Sequence, residues 1–176
     1  MRLEKRKYLP LLPLLTVMLL CACLISGTFV IVWEINDQDV HASEHFYKFT
    51  VNLTEDQDWK DHKDKINDIS DAALTFKLIN QGSSAATGQV FVSLDSTLSD
   101  TTAVKSHATV ILDGITVPAH DSLYMDMAHY YDLLQNFETL KDVVKTGIFT
   151  AYAIVPDTLD VKLRDAIVVV TVNVGL

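Results

Sequence analysis

Apolar residues recur at every second position through most of this chain, in short runs separated by turn-forming clusters. The runs at 28–35, 45–53, 72–79, 89–94, 107–112, 122–127, 147–155 and 161–174 have the composition and alternation of β-strands. In the third run Leu74, Phe76 and Leu78 share one face, as in a half-buried strand. The last run sets Ala166, Val168, Val170, Val172 and Val174 on one face and Ile167, Val169 and Thr171 on the other. A strand apolar on both sides is expected at the centre of a sheet and covered on both faces. Residues 80–84 (NQGSS) and 98–102 (LSDTT) are loops by composition, and Val117-Pro118-Ala119-His120-Asp121 is a turn ahead of a strand.

Two segments break the alternation. Over 129–145, Leu133, Phe137, Leu140 and Val144 fall at helical spacing, and Gly147 follows as a stop. Residues 55–69 form a charged, helical loop with Trp59 and Ile66 as its large apolar anchors. No repeat, low-complexity tract or long linker divides the chain. The pattern therefore predicts an all-β fold: an antiparallel β-sandwich of about eight strands with one packed amphipathic helix.

The N-terminus follows a different logic. Arg2, Lys5, Arg6 and Lys7 stand against a single Glu4, and residues 9–20 are apolar or uncharged. A positive head followed by an apolar stretch of this length is the layout of a secretory signal. The positive charges resist crossing, so the rest of the chain is exported. Leu20-Cys21-Ala22-Cys23 then resembles the lipobox of bacterial lipoproteins, with an aliphatic residue at −3 and a small one at −1. That resemblance implies a signal peptide over 1–22 and a diacylglycerol on the Cys23 sulfur, with palmitate-type acyl chains. It also implies one domain over 23–176, held at the non-cytoplasmic side of a cell-envelope membrane. Two acyl chains give stable anchoring, because each buried methylene adds ~0.8 kcal/mol. An uncleaved signal anchor is the alternative, since residues 9–33 carry no charge and are long enough to span a bilayer. Against it, 28–33 (TFVIVW) is β-branched and aromatic and suits a first strand better.

Charge narrows the partners. The chain has a formal charge of −9, and loss of residues 1–22 leaves 10 basic against 22 acidic residues, or −12. Such a surface argues against nucleic acid and against anionic lipid headgroups, and leaves a protein partner open. After cleavage Cys23 is the sole cysteine, so neither a disulfide nor thiol chemistry is expected.

A second resemblance concerns layout. A short strand, a polar loop, a strand ending at Asn80, a turn at Val117-Pro118, a helix over 129–145 and a strand led by Gly147 are similar to the order in late-embryogenesis-abundant type 2 and related water-stress domains. The similarity spans about residues 45–175. The Asn-Pro-Asn signature of that family is replaced here by Asn80-Gln81-Gly82. It implies a β-sandwich that binds lipid or another apolar ligand.

Chemical signatures are sparse. His41-Ala42-Ser43-Glu44-His45 matches H-x-x-E-H, which serves zinc peptidases when both histidines lie on one helical face with the glutamate as base. In extended chain the two histidines would stand ~13 Å apart, too far to share a metal. Asp56, Asp58, Asp61, Asp64, Asp68 and Asp71 form an acidic cluster, but lysines interleave with them and no glycine offers the sharp turn of a calcium loop. Tyr124, Tyr130, Tyr131 and Phe137 are candidates to line a groove beneath the helix. Neither a nucleophile elbow nor a nucleotide-binding glycine loop occurs. The expectation is a non-enzymatic, membrane-anchored binding or structural module with Cys23 as its lipid attachment site and no cofactor. An apolar-ligand or lipid-binding domain is the second reading, and a zinc hydrolase through His41, Glu44 and His45 is the remote third.

The anchor has a direct test. Cys23→Ser should abolish lipidation, because a hydroxyl cannot form the thioether, and the precursor should persist about 22 residues heavier. Cys21→Ser should leave processing nearly intact. Intact-mass measurement of membrane-extracted protein decides: an unmodified chain starting at Met1 contradicts the lipoprotein reading.

Overall fold

The longest element of the protein is a strand of 17 residues, β9 (Leu159–Gly175), and it is hydrogen-bonded along both edges. The structure, a computed structural model, describes residues 26–42, 45–155 and 159–175. On one edge the C-terminal part of β9 pairs antiparallel with β1 (Ser26–Ile35) and its N-terminal part with β2 (Gln38–Ala42). On the other edge it pairs with β4 (Ile66–Asn80), which in turn carries the short β7 (Ser122–Met125). A second antiparallel sheet follows the order β3 (Phe46–Asn52), β8 (Ile148–Ile154), β5 (Ala86–Ser93), β6 (Thr109–Val117). The two sheets face each other as a sandwich. Ile31, Ile69, Phe76, Val170 and Val172 of the first meet Val51, Val92, Ile111 and Phe149 of the second in one core.

β9 serves two partners on one edge by kinking at Arg164-Asp165. Asp165 adopts a left-handed φ of 51°, a conformation that aspartate tolerates better than most side chains. Its N–H donates to Asp37 Oδ1 at 3.2 Å, while Arg164 donates to the Gln38 carbonyl at 2.9 Å and pairs with Asp39 and Asp37. The register of β4 against β9 shifts at the same level, as a β-bulge requires.

All eight expected strands are present, and four features of the element assignment differ from expectation. β2 is an extra strand: Val40 is its one large apolar residue, so its identity comes from the β9 edge and not from periodicity. The single helix over 129–145 is two helices, α3 (Met127–Leu133) and α4 (Phe137–Lys145), numbered after α1 (Gln57–His62) and α2 (Thr101–His107). The break satisfies the free edge of β6. There Gln135 N–H donates to the Ile111 carbonyl at 2.8 Å and Asn136, at φ 51°, donates from Nδ2 to the Val110 carbonyl at 2.9 Å. α2 replaces part of an expected loop, because Asp100 Oδ1 caps it by accepting from Ala103 N–H at 2.8 Å. In the charged segment, α1 covers only 57–62, and residues from Ile66 onward already belong to β4.

Coverage of the two outer faces is unequal. α2 and its lead-in place Val104 and Leu98 over Phe91 and Tyr152, so β8 is buried on both sides. β9 is central in its sheet, but its outer face is not closed. Ile167 and Val169 are half-buried there, and the neighbouring Val30 and Val32 on β1 are 56% and 50% exposed. Among the described residues no helix is long and apolar enough to cross a membrane.

At the end of α4, Gly147 has a φ of 81° and its N–H closes the helix on the Val144 carbonyl at 2.9 Å. A Cβ there would lie 2.9 Å from both Thr54 Cγ2 and Trp59 Nε1, so the stop is also a close contact with the buried Trp59. At the opposite pole Asn80, 2% exposed, ties two turns together. Its Nδ2 donates to the carbonyls of Ser84 (2.8 Å), Val117 and Pro118 (3.1 Å each), and its Oδ1 accepts from Gly82 N–H at 2.9 Å. Asn80→Ala should therefore destabilise the protein by about 2 kcal/mol in denaturant unfolding, the cost of orphaning buried acceptors. Asn80→Asp should cost at least as much, because a carboxylate cannot donate to the three carbonyls. An unchanged midpoint in either variant contradicts this role.

Candidate ligand cleft between the sheets

The pole tied by Asn80 is where β1, β4, β6 and β8 end and where β3, β5 and β9 begin. Side chains of every one of these strands converge there, yet they leave a cavity of about 120 Å³ between the sheets. The cause is local composition. Leu74, Phe76 and Leu78 line it from β4, and Val90 and Ile115 from β5 and β6. The remaining inward positions include Ala86, Gly88, Ala153 and Ala166, which are too small to meet across the gap. Alternating large and small residues on opposed faces fills a core when they interdigitate. Here Ala86, Gly88 and Ala153 of one sheet and Ala166 of the other fall at the same end, and the volume stays open.

The wall is almost free of polar atoms. Tyr47, Thr87 and Gln89 are the polar residues that border it, and no Asp, Glu, Lys, Arg or His lines it. The Tyr47 hydroxyl donates to Gln38 Oε1 at 2.7 Å, and burial raises its pKa above the usual phenol value. Gln89 donates from Nε2 to Asp113 Oδ1 at 2.9 Å. An engineered apolar cavity of ~150 Å³ holds benzene, and the wall of this cleft has the same apolar character.

The candidate aromatic groove beneath the helix is not formed. Tyr130 is buried in the core, where desolvation raises its pKa, and it lines a second apolar cavity of only about 30 Å³ together with Leu140 and Val144 of α4. Tyr131 turns outward and donates its hydroxyl to Asp71; burial first, then that bond, pushes its pKa up to about 12. Tyr124 is exposed on β7, and Phe137 is half-buried with the Lys141 ammonium 5.3 Å from its ring centre.

The other sequence-derived candidates separate as follows. Cys23 lies outside the described residues, as do Glu44 and the side chain of His41. The backbone of His41 belongs to β2, opposite Asp160, and His45 is exposed in the bend before β3, its carbonyl accepting from Val155 N–H at 2.9 Å. The two histidines thus sit on strand and bend, and the helical face that the H-x-x-E-H chemistry needs is not there. The acidic cluster is spent on separate tasks. Asp56 caps α1 through Trp59 N–H at 3.1 Å, Asp61 accepts from Gln57, and Asp71 accepts from Tyr131. Among the described residues no group of three or more His, Cys, Asp or Glu is placed to hold a metal ion.

No family model matches the chain, and no curated protein matches it. Among solved structures, one of Desmodium yellow mottle tymovirus aligns with 85% of this chain and 90% of its own, at 10% identity and a TM-score of 0.34. A second, dimeric latent PorU from Porphyromonas gingivalis, aligns with 86% of this chain but only 13% of its own, at 13% identity and a TM-score of 0.35. Likeness at this level assigns neither family nor function.

Proposed function

We propose that this protein is a non-enzymatic binding module, tethered to an envelope membrane through a lipid on Cys23, that receives an apolar group in the cleft between its sheets. The observation that carries the binding reading is the cleft itself. It is an apolar cavity lined by every described strand except β7 and set at one pole, where a domain selected for stability alone would close its core. Packed cores leave few voids larger than a water molecule, and a void lined by large and small residues costs stability that ligand burial can return. The same cleft favours the apolar-ligand alternative over a purely structural role.

The tether fits this arrangement. β1 runs from Ser26, just downstream of Cys23, to Ile35 at the cleft. A strand of that length spans about 30 Å. On this reading the cleft stands at the end of the domain away from the anchor and meets ligands or partners presented from outside the membrane that holds it.

Benzene serves as a size-matched probe. Titrated into the full chain in lipid nanodiscs, it should produce saturable shifts of the Val90 and Ile115 methyl resonances. Ala153→Leu, which adds three carbons to the β8 wall, should weaken binding by about tenfold and leave thermal stability equal or higher, as filling an empty cavity does. Shifts that never saturate, or that are unaffected in a folded Ala153→Leu variant, contradict the cleft as a binding site.

A further inference from the structure

We infer that β1 is a self-association surface: two copies of this chain pair antiparallel along the free edges of their β1 strands, joining their first sheets into one. The pairing concerns the edge of the sheet and is independent of what the cleft holds.

An edge strand presents a row of unpaired N–H and C=O groups that invites another strand, and folded proteins guard such edges. On the second sheet, β6 is covered by Gln135 and Asn136, which donate to the Ile111 and Val110 carbonyls. At the other edge of that sheet, β3 carries the exposed Lys48 and is joined to β2 by the Tyr47–Gln38 bond. On the first sheet, β7 is only four residues long. At its far edge, β2 is bordered by the charges of Arg164, Asp37 and Asp39. β1 has none of these devices. Ten residues long, it pairs with β9 in an unbroken register, and among the described residues it pairs with no other strand. It contains no Pro, Lys or Arg, and its single charge is Glu34, next to its last residue.

The sequence of β1 fits a second copy of itself. Opposed residues of an antiparallel pair lie on the same face, so a two-fold axis normal to the sheet passes through a residue position. With the axis at Ile31, Val30 meets the partner's Val32 and Val32 meets the partner's Val30. These valines are 56% and 50% exposed on the outer face. On the inner face Phe29, at the exposed margin of the sheet, meets the partner's Trp33 as an aromatic cross-strand pair. Glu34 falls opposite the partner's Thr28, so the two carboxylates stand well apart. Other registers fit less well. An axis at Glu34 sets the two carboxylates face to face, one at Val32 sets Glu34 against the partner's Val30, and one at Val30 sets Trp33 against the partner's Gly27. In the favoured register the two N-termini leave from opposite ends, ~33 Å apart at strand rise. That arrangement suits copies held in facing membranes with β1 upright.

Sedimentation of the full chain in non-ionic detergent reads the equilibrium. Reversible monomer–dimer exchange is expected, and added salt should tighten it, because two acidic chains repel each other and salt screens that repulsion. Val30→Lys combined with Val32→Lys sets lysines opposite lysines and should weaken the dimer by at least about tenfold. Thr28→Lys meets the partner's Glu34 on both sides of the axis and should tighten the dimer by about fivefold. Adding Glu34→Lys to Thr28→Lys should reverse that gain. All four side chains are exposed, so each variant should keep the unfolding midpoint of the unaltered chain. A dimer that salt dissolves, or that the paired valine-to-lysine changes leave intact in a folded protein, lies elsewhere on the surface and overturns β1 as the interface. Thr28→Lys without tightening overturns the register through Ile31. A chain that stays monomeric at every concentration overturns the pairing outright, and protection of its β1 amides from hydrogen exchange would then assign the edge to upstream residues of the same chain.

Discussion

The hydrogen bonding of β9 along both of its edges is the constraint on which the rest of the fold depends. Its C-terminal part joins β1 to β4 and its N-terminal part joins β2 to β4, so one strand sets the register of the whole first sheet. The buried valines Val168, Val170 and Val172 face the opposite sheet along this strand, each stabilising the packed state by about 1.5–3 kcal/mol relative to exposure. The kink at Arg164-Asp165 divides β9 into two stretches with different surroundings. Beyond the kink Ala166 still borders the cleft, and past it the core closes over the buried Val170 and Val172. Before it, Val161 and Leu163 reach the cleft.

That division explains how one sandwich is both well packed and hollow. In the closed part, Trp59 and Ile69 are buried and Gly147 approaches Trp59 too closely for any side chain. In the hollow part, Ala86, Gly88, Ala153 and Ala166 withhold the volume that would join the sheets, and Asn80 supplies polar ties between turns instead. Polar clamping around an apolar gap keeps the turns in place without filling the gap, which is what a preformed site requires.

Much of the architecture was legible in the sequence because it is carried by patterns within single segments: the eight expected strands and the central place of β9 by period-two alternation, the stop at Gly147 by helical spacing. What was not legible depends on partners distant in the chain. β2 exists because β9 offers it an edge. The helix breaks at Asn136 because β6 needs donors for Ile111 and Val110. The start of β4 was hidden because its register shifts between Ile66 and Asp71 disrupt the alternation that would have marked it. The covered second face expected for β9 fell instead to β8, since α2 packs on the other sheet. The cleft was the least legible feature, being an absence of volume. Its one signal was small residues at strand ends, Ala86 with Gly88 at the start of β5 and Ala153 near the end of β8, which becomes meaningful only once those ends are seen to share a pole.

Xenon tests the central claim most directly, because it responds to apolar voids and makes no hydrogen bonds. Crystals of the protein pressurised with xenon should show an ordered atom between the sheets, within contact of Phe76, Val90, Ile115 and Ala166, with little movement of the surrounding backbone. A cleft that remains without xenon under pressure, its walls collapsed onto one another, would contradict the existence of a preformed apolar site.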